Sequence, residues 1–338
     1  MNIESYYQGY FRFWEELGKS LSYPETEWET PNSCILETPN IKLLRFSKGK
    51  GDPIFIIPPN AGHHSNIADR LIQLSILSGR SIYAIEWLSA TWEEEKRDYT
   101  IEDMLKDQQL CYEKIGRPVH IFSLCQGAWL TAISISLNPE AALSYTNAAG
   151  PIDFHSEDGK IDRWTRDTPM EFYETMVKAN GGLQLGEYQI LGFKSMNPYE
   201  RWFGDYADLL LHCMRGDEQS IEKWHRFKLW YEYPVNISGK WYLWAIENLF
   251  KNNLLIEDAL TIQGEDVRLA NITCPVNLIA GKTDDVTLPS QVFNMQNKVS
   301  SDKVNCQLID AGHIGVFTSR KSKPVWEKII LNLNSGGI

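Results

Sequence analysis

The chain has 338 residues, 43% of them hydrophobic and 23% charged, which suffices for one large core, or for a core with an inserted subdomain. A formal net charge of −11 argues against a nucleic-acid groove or an anionic membrane surface as partner. The opening MNIESYYQGYFRFWEELGKSL lacks the basic flank and apolar run of a secretory signal, and nowhere do about 18 apolar residues run together; with six scattered cysteines and no CxxC pair, reduced thiols in a cytoplasmic protein are expected.

An aromatic helix opens the chain over 1–22. CILETPNIKLLRF alternates, Gly49 and Gly51 turn the chain, and PIFIIPP is a short apolar run closed by Pro58–Pro59, so two or three strands are expected over 34–58. SNIADRLIQLSILSG has helical spacing, with Ser65 or Asn66 as N-cap and Gly79 as stop. SIYAIEW is a strand, and Thr100-Ile-Glu-Asp103 opens a helix that ends near Gly116. VHIFSL (119–124) is a buried strand, GAWLTAISISL the helix after it, and ALSYTNAAG (142–150) one more strand. Such alternation is the signature of a parallel sheet covered on both faces.

The rhythm breaks near residue 152. From there to 262 the pattern is helical and dense in aromatics, before strands resume with CPVNLIAG and VNCQLID and KPVWEKIILNL closes the chain as an amphipathic helix. The expected architecture is an α/β fold, a doubly wound and mostly parallel sheet from 1–151 and 263–338. Residues 152–262 would form a helical cap upon it.

One segment carries chemistry. Val119-His120-Ile121-Phe122-Ser123-Leu124-Cys125-Gln126-Gly127 reads strand, turn, helix, with Cys125 at the turn; this is the layout of a nucleophile elbow. A helix N-terminus there favours an anion, and its first N–H groups face a developing oxyanion. Taken alone, Cys125 reads as a small buried apolar residue; two partners downstream argue for catalysis. Asp284 follows the apolar strand 275–280, at the third residue past Gly281. His313 follows the last strand and precedes the final helix. The order nucleophile, acid, histidine is that of α/β-hydrolases. Asp285 remains the alternative acid. A second oxyanion donor is expected from Ala61 or Asn60, in the loop after 53–58. His63 and His64, as neighbours with no third ligand, do not make a metal site. Ala280-Gly281-Lys282-Thr283 lacks the first glycine of a phosphate-binding loop. No metal and no cofactor is called for.

In these residues the chain resembles the intracellular polyhydroxyalkanoate depolymerases and, more distantly, the polyhydroxyalkanoate synthases. The resemblance runs over nearly the whole chain: PNAGHHSNIADRL, IYAIEWLSA, YTIEDML, LCQG, GPIDF, LGFKSMNP, CMRGDEQS, GKTDDV and GHIGVF. It implies a Cys125–His313–Asp284 triad. The elbow departs from both patterns, with Gly127 where depolymerases carry proline, and Ser123 and Ala128 where synthases carry glycine. Motif count favours the depolymerase.

The resemblance implies hydrolysis of polyhydroxyalkanoate or 3-hydroxyacyl esters through an acyl-thioester, with association with intracellular polymer granules as a corollary. A synthase-type acyltransferase using 3-hydroxyacyl-CoA is the alternative, and a non-catalytic granule protein the third reading. Among the cap aromatics, Trp202, Phe203, Trp230 and Trp241, together with His63, are expected to line the acyl pocket.

Overall fold

Val119–Leu124 and Val276–Gly281 are continuous apolar runs too short for helices, and each is buried along its whole length, as strands covered on both faces must be. A computed structural model describes residues 3–22 and 24–333 of the chain. Eight strands make one sheet: β1 (Ser33–Glu37), β2 (Ile41–Ser47), β3 (Ile54–Ile57), β4 (Ile82–Trp87), β5 (Val119–Leu124), β6 (Ala142–Ala148), β7 (Val276–Gly281) and β8 (Val304–Ile309). Their spatial order is β1-β2-β4-β3-β5-β6-β7-β8. Only the pairs involving β2 are antiparallel. The other pairs are parallel, joined by crossovers that place helices on both faces.

Register decides where the loops meet. Ile57 pairs with Ser123, Leu124 with Ala148, and Gly281 with Ile309. The C-terminal ends of these strands therefore share one sheet edge, where open α/β sheets place their sites. The inaccessible side chains Ile54, Phe55, Ile56 and Ile57 divide between two apolar clusters, one on each face; each such side chain is worth about 1.5–3 kcal/mol relative to exposure.

The crossover helices follow their sequence signals. Helix α1 (Ile3–Ser20) comes first. Helix α2 (Asp69–Ile76) is preceded by a 3₁₀ turn at Ser65–Ala68, and here the cap is the ring of His64, whose Nδ1 accepts the Asn66 N–H at 3.1 Å. Neither Ser65 nor Asn66 caps it. Helix α3 (Ile101–Ile115) opens on the Thr100–Asp103 capping box and stops at Gly116, with φ of 80°, a left-handed conformation that glycine adopts without Cβ strain. Helix α4 (Gln126–Leu137) follows β5, and α11, counted after the helices below, is Lys323–Asn332.

Between β6 and β7 lie α5 (Lys160–Asp167), α6 (Met170–Ala179), α7 (Gly186–Met196), α8 (Asp205–Arg215), α9 (Glu218–Glu232) and α10 (Gly239–Ala245). Helix α1 docks on α8 so closely that a Cβ on Gly9 would come within 2.7 Å of the Met214 Cα. The end of this segment belongs to the sheet's own core: Ile237, Trp241, Ala245, Leu249 and Leu255 pack into the cluster that holds Ile41, Phe55 and Ile121. No described helix is long and apolar enough to cross a membrane.

Candidate active site

Cys125 is the hinge between β5 and α4, with φ of 50° and ψ of −123°. A non-glycine residue held there is strained, and such strain persists only where the surroundings over-determine it. Those surroundings leave no room for side chains. A Cβ on Gly127 would come within 2.4 Å of the Ile57 carbonyl oxygen, and one on Gly150 within 2.5 Å of the Cys125 carbonyl oxygen. Ser123 meets the same constraint differently. It is fully buried, and its hydroxyl bonds the Thr131 hydroxyl at 2.7 Å. Thr131 in turn donates to the Gly127 carbonyl at 2.8 Å.

The structure brings Asp284 and His313 to this hinge. The Asp284 carboxylate is inaccessible and bonds His313 Nδ1 at 2.8 Å through Oδ2. Its Oδ1 accepts the N–H groups of Val286 and Thr287, each at 2.9 Å, so the carboxylate is oriented on both sides. The His313 side chain is 9% exposed and lines the same cavity as Cys125. Burial alone would lower the imidazole pKa. The charge of Asp284, its hydrogen bond to the ring and the neighbouring Cys125 outweigh it, and hold the pKa well above the ordinary histidine value. Asp285 is engaged elsewhere: it bonds the Asn197 amide at 2.6 Å and faces Lys160 at 3.6 Å.

Above Cys125 is a cavity of about 480 Å³, within the ~300–1,000 Å³ usual for small-molecule sites. Cys125, His313 and Ala61 line it on the sheet side. Phe193, Phe227, Trp230 and Tyr231 line it on the helical side, with Asn197, Glu200 and Arg201 as polar members. His63 also lines it. Its ring stacks on Trp230 at 4.6 Å, and its Nε2 meets the Tyr231 carbonyl at 3.2 Å. Burial pushes the His63 pKa down to about 4, against the pull of the Tyr231 and Ala61 backbone and the Glu232 charge.

Three expected pocket residues lie elsewhere. Trp202 and Phe203 point outward, at 44% and 67% exposure; Trp202 covers the Lys194 ammonium and Phe203 sits beside Tyr199. Trp241 is buried in the sheet's core cluster because its helix folds back under the sheet. Asn60 is displaced from its expected role by chemistry, because its backbone N–H already donates to Gln126 Oε1 at 2.5 Å. Ala61 remains at the cavity.

Sequence reasoning missed Phe227, Tyr231, Ile314 and Phe317, which also line the cavity. A signal existed for the last two, which follow His313 directly. Tyr231, next to Trp230, had none. Among the described residues no group of His, Cys, Asp and Glu is arranged to hold a metal.

Residues 149–333 match the model of the family described as PHB de-polymerase C-terminus. The poly(3-hydroxyalkanoate) polymerase subunit PhaC of Allochromatium vinosum is 21% identical over 87% of this chain and 85% of its own length. That of Haloferax mediterranei is 22% identical over 87% of this chain, which spans 61% of that longer protein. Among solved structures, the monoacylglycerol lipase of Paleococcus ferrophilus superposes with a TM-score of 0.59 at 13% identity, covering 88% of this chain and 99% of that one. The shared fold is that of the α/β-hydrolases.

Proposed function

Because the chain belongs to the PHB de-polymerase C-terminus family, we propose that it cleaves polyhydroxyalkanoate or 3-hydroxyacyl esters with Cys125 as nucleophile. The observation that carries this reading is the strained Cys125 facing the buried His313–Asp284 pair in one cavity. His313 takes the thiol proton and the sulfur attacks the ester carbonyl. The N–H groups of Gln126 and Ala61 hold the tetrahedral oxyanion. The C–O bond breaks, His313 returns the proton to the departing hydroxyl, and an acyl-thioester remains. Water, deprotonated by His313, then attacks the thioester, releasing a 3-hydroxy acid and the free thiol. Asp284 keeps the imidazole in the useful tautomer throughout. No cofactor is required by these steps. The helices between β6 and β7 act as a cap that supplies the acyl-binding wall, and the polymer granule is the natural place of action.

A second reading has its own support. The named relatives are polymerases aligned along most of the chain, and the same thioester could pass to a chain-end hydroxyl instead of water. The two readings part at one step, the identity of the second nucleophile. Purified protein given amorphous poly(3-hydroxybutyrate), and separately 3-hydroxybutyryl-CoA, tests both. Free acid from the polymer supports hydrolysis, CoA release with polymer growth supports transfer, and neither product rejects both.

A further inference from the structure

The mechanism uses only the backbone of Gln126, yet the residue is 8% exposed and its side chain contacts the loop that carries Ala61. That loop begins Pro58-Pro59-Asn60-Ala61. Neither proline has an N–H, so Asn60 carries the loop's first donor and Ala61 its second. Asn60 is itself 4% exposed, and a buried N–H requires an acceptor. It finds one in Gln126 Oε1. This bond also fixes which way the amide points, since only the oxygen can accept. The next residue presses on the same loop without a side chain: a Cβ on Gly127 would meet the Ile57 and Pro58 carbonyl oxygens at 2.4 and 2.9 Å. Beyond Ala61 the loop is held from the other side. Val235 N–H donates to the Gly62 carbonyl at 3.0 Å, and Trp230 Nε1 to that of His64 at 2.9 Å. Ala61 thus sits between two clamps, of which Gln126 is the one on the catalytic helix.

We propose that the Gln126 side chain is a positioning group that sets the 58–61 loop, and with it the Ala61 N–H, for the oxyanion formed at Cys125. The inference rests on the acyl-transfer reading above. It separates two reactions of the same sulfur. Acylation forms an oxyanion and needs the loop in register; alkylation by iodoacetamide, a displacement at a saturated carbon, does not.

The test uses the full chain and Gln126→Met, which keeps side-chain length without an acceptor oxygen. Acylation is followed with p-nitrophenyl acetate and 3-hydroxybutyryl-CoA, and alkylation by the mass of the Cys125 peptide. Losing a properly placed oxyanion donor costs about 10²–10³ in rate, so acylation should fall by about 10²-fold while alkylation stays within about twofold. Gln126→Glu, which retains an acceptor oxygen, should recover most of the loss. Acylation by Gln126→Met within about threefold of the parent, or acylation and alkylation falling in parallel, would overturn the inference. If the parent protein itself is not acylated at Cys125 by either probe, the acyl-transfer reading fails, and that outcome is distinct from the other two.

Discussion

The sheet and the helical segment between β6 and β7 are held together by different chemistry. The sheet is held by apolar burial: β3, β5 and β7 are buried along their whole lengths, and the apolar clusters on its two faces run from β2 to the last helix. The segment from α7 to α9 has few fully buried apolar residues, Ile190, Trp230 and Tyr231 in one cluster and Leu209, Cys213 and Ile221 in another. Between them lies charge. Lys194 and Lys228 reach Glu232 at 2.6 and 2.8 Å, and the two ammonium groups also lie over the rings of Trp202 and Tyr206. The Lys228 contact is close but poorly aligned for a hydrogen bond. Burial would raise the Glu232 pKa, yet the two lysines hold it below its ordinary value. Apolar burial holds the sheet edge at which Cys125 and the His313–Asp284 pair meet. Rings and ion pairs make the wall that faces it across the cavity.

The largest expected effect tests whether the reacting atoms belong to the sheet alone. Cys125→Ala should abolish turnover on any ester the parent cleaves, with the melting transition almost unmoved, because one small side chain replaces another. Residual activity above a few per cent would make Cys125 structural. Asp284→Asn comes next: a wrong imidazole tautomer typically costs about 10⁴ in kcat, and removing the charge should also lower the His313 pKa, read from the ring signals by NMR. Asp285→Asn disturbs only the contacts to Asn197 and Lys160 and should cost little. Equal losses from the two aspartates would mean that the acid is misassigned.

Much of the sheet was legible because its signals are local. VHIFSL and VNLIAG are apolar runs of strand length, and the turns after them place Cys125 and Asp284 by sequence adjacency. The pocket was less legible because its signals are not. Trp230 and Trp241 are both buried and both sit on helices, but of the two Trp230 alone lines the cavity. Which face of a helix meets a sheet depends on loops whose path the spacing does not encode. Asn60 failed for a related reason: the acceptor that occupies its N–H lies 66 residues away.

That difference between two tryptophans gives the third prediction. Trp241→Ala removes a core ring and should cost about 3–5 kcal/mol of stability without changing the preference between short and long acyl chains. Trp230→Ala opens the cavity wall and should shift that preference in KM, with the iodoacetamide reactivity of Cys125 retained. Trp202→Ala and Phe203→Ala, on the exposed side, should do neither. Preference that moves with Trp241 but not with Trp230 would reverse the division of labour between sheet and wall.

The smallest effect lies where the two regions touch, at His63. Its ring is stacked on Trp230 and bonded to the Tyr231 carbonyl, and burial depresses its pKa to about 4 against an ordinary 6.5. The unfolded chain therefore binds a proton in the window from 6.5 down to 4 that the folded protein refuses. Stability from this residue is complete above pH 6.5 and is lost as pH falls through that window. His313 has the opposite sign, because its pKa is raised: its contribution is complete below 6.5 and is lost only as pH climbs through the raised value. His120, also depressed to about 4, tilts the acid limb the same way as His63 but is common to parent and variant. His63→Phe keeps a ring against Trp230 and cannot titrate. At pH 7 it should melt slightly lower, having lost the bond to the Tyr231 carbonyl. Between pH 6.5 and 4 its unfolding free energy should decline less steeply than the parent's, by up to one proton's worth, about 1.4 kcal/mol per pH unit. Parallel acid limbs in urea titrations would mean that His63 is not held neutral, and that the contact between loop and wall is looser than the stacked rings imply.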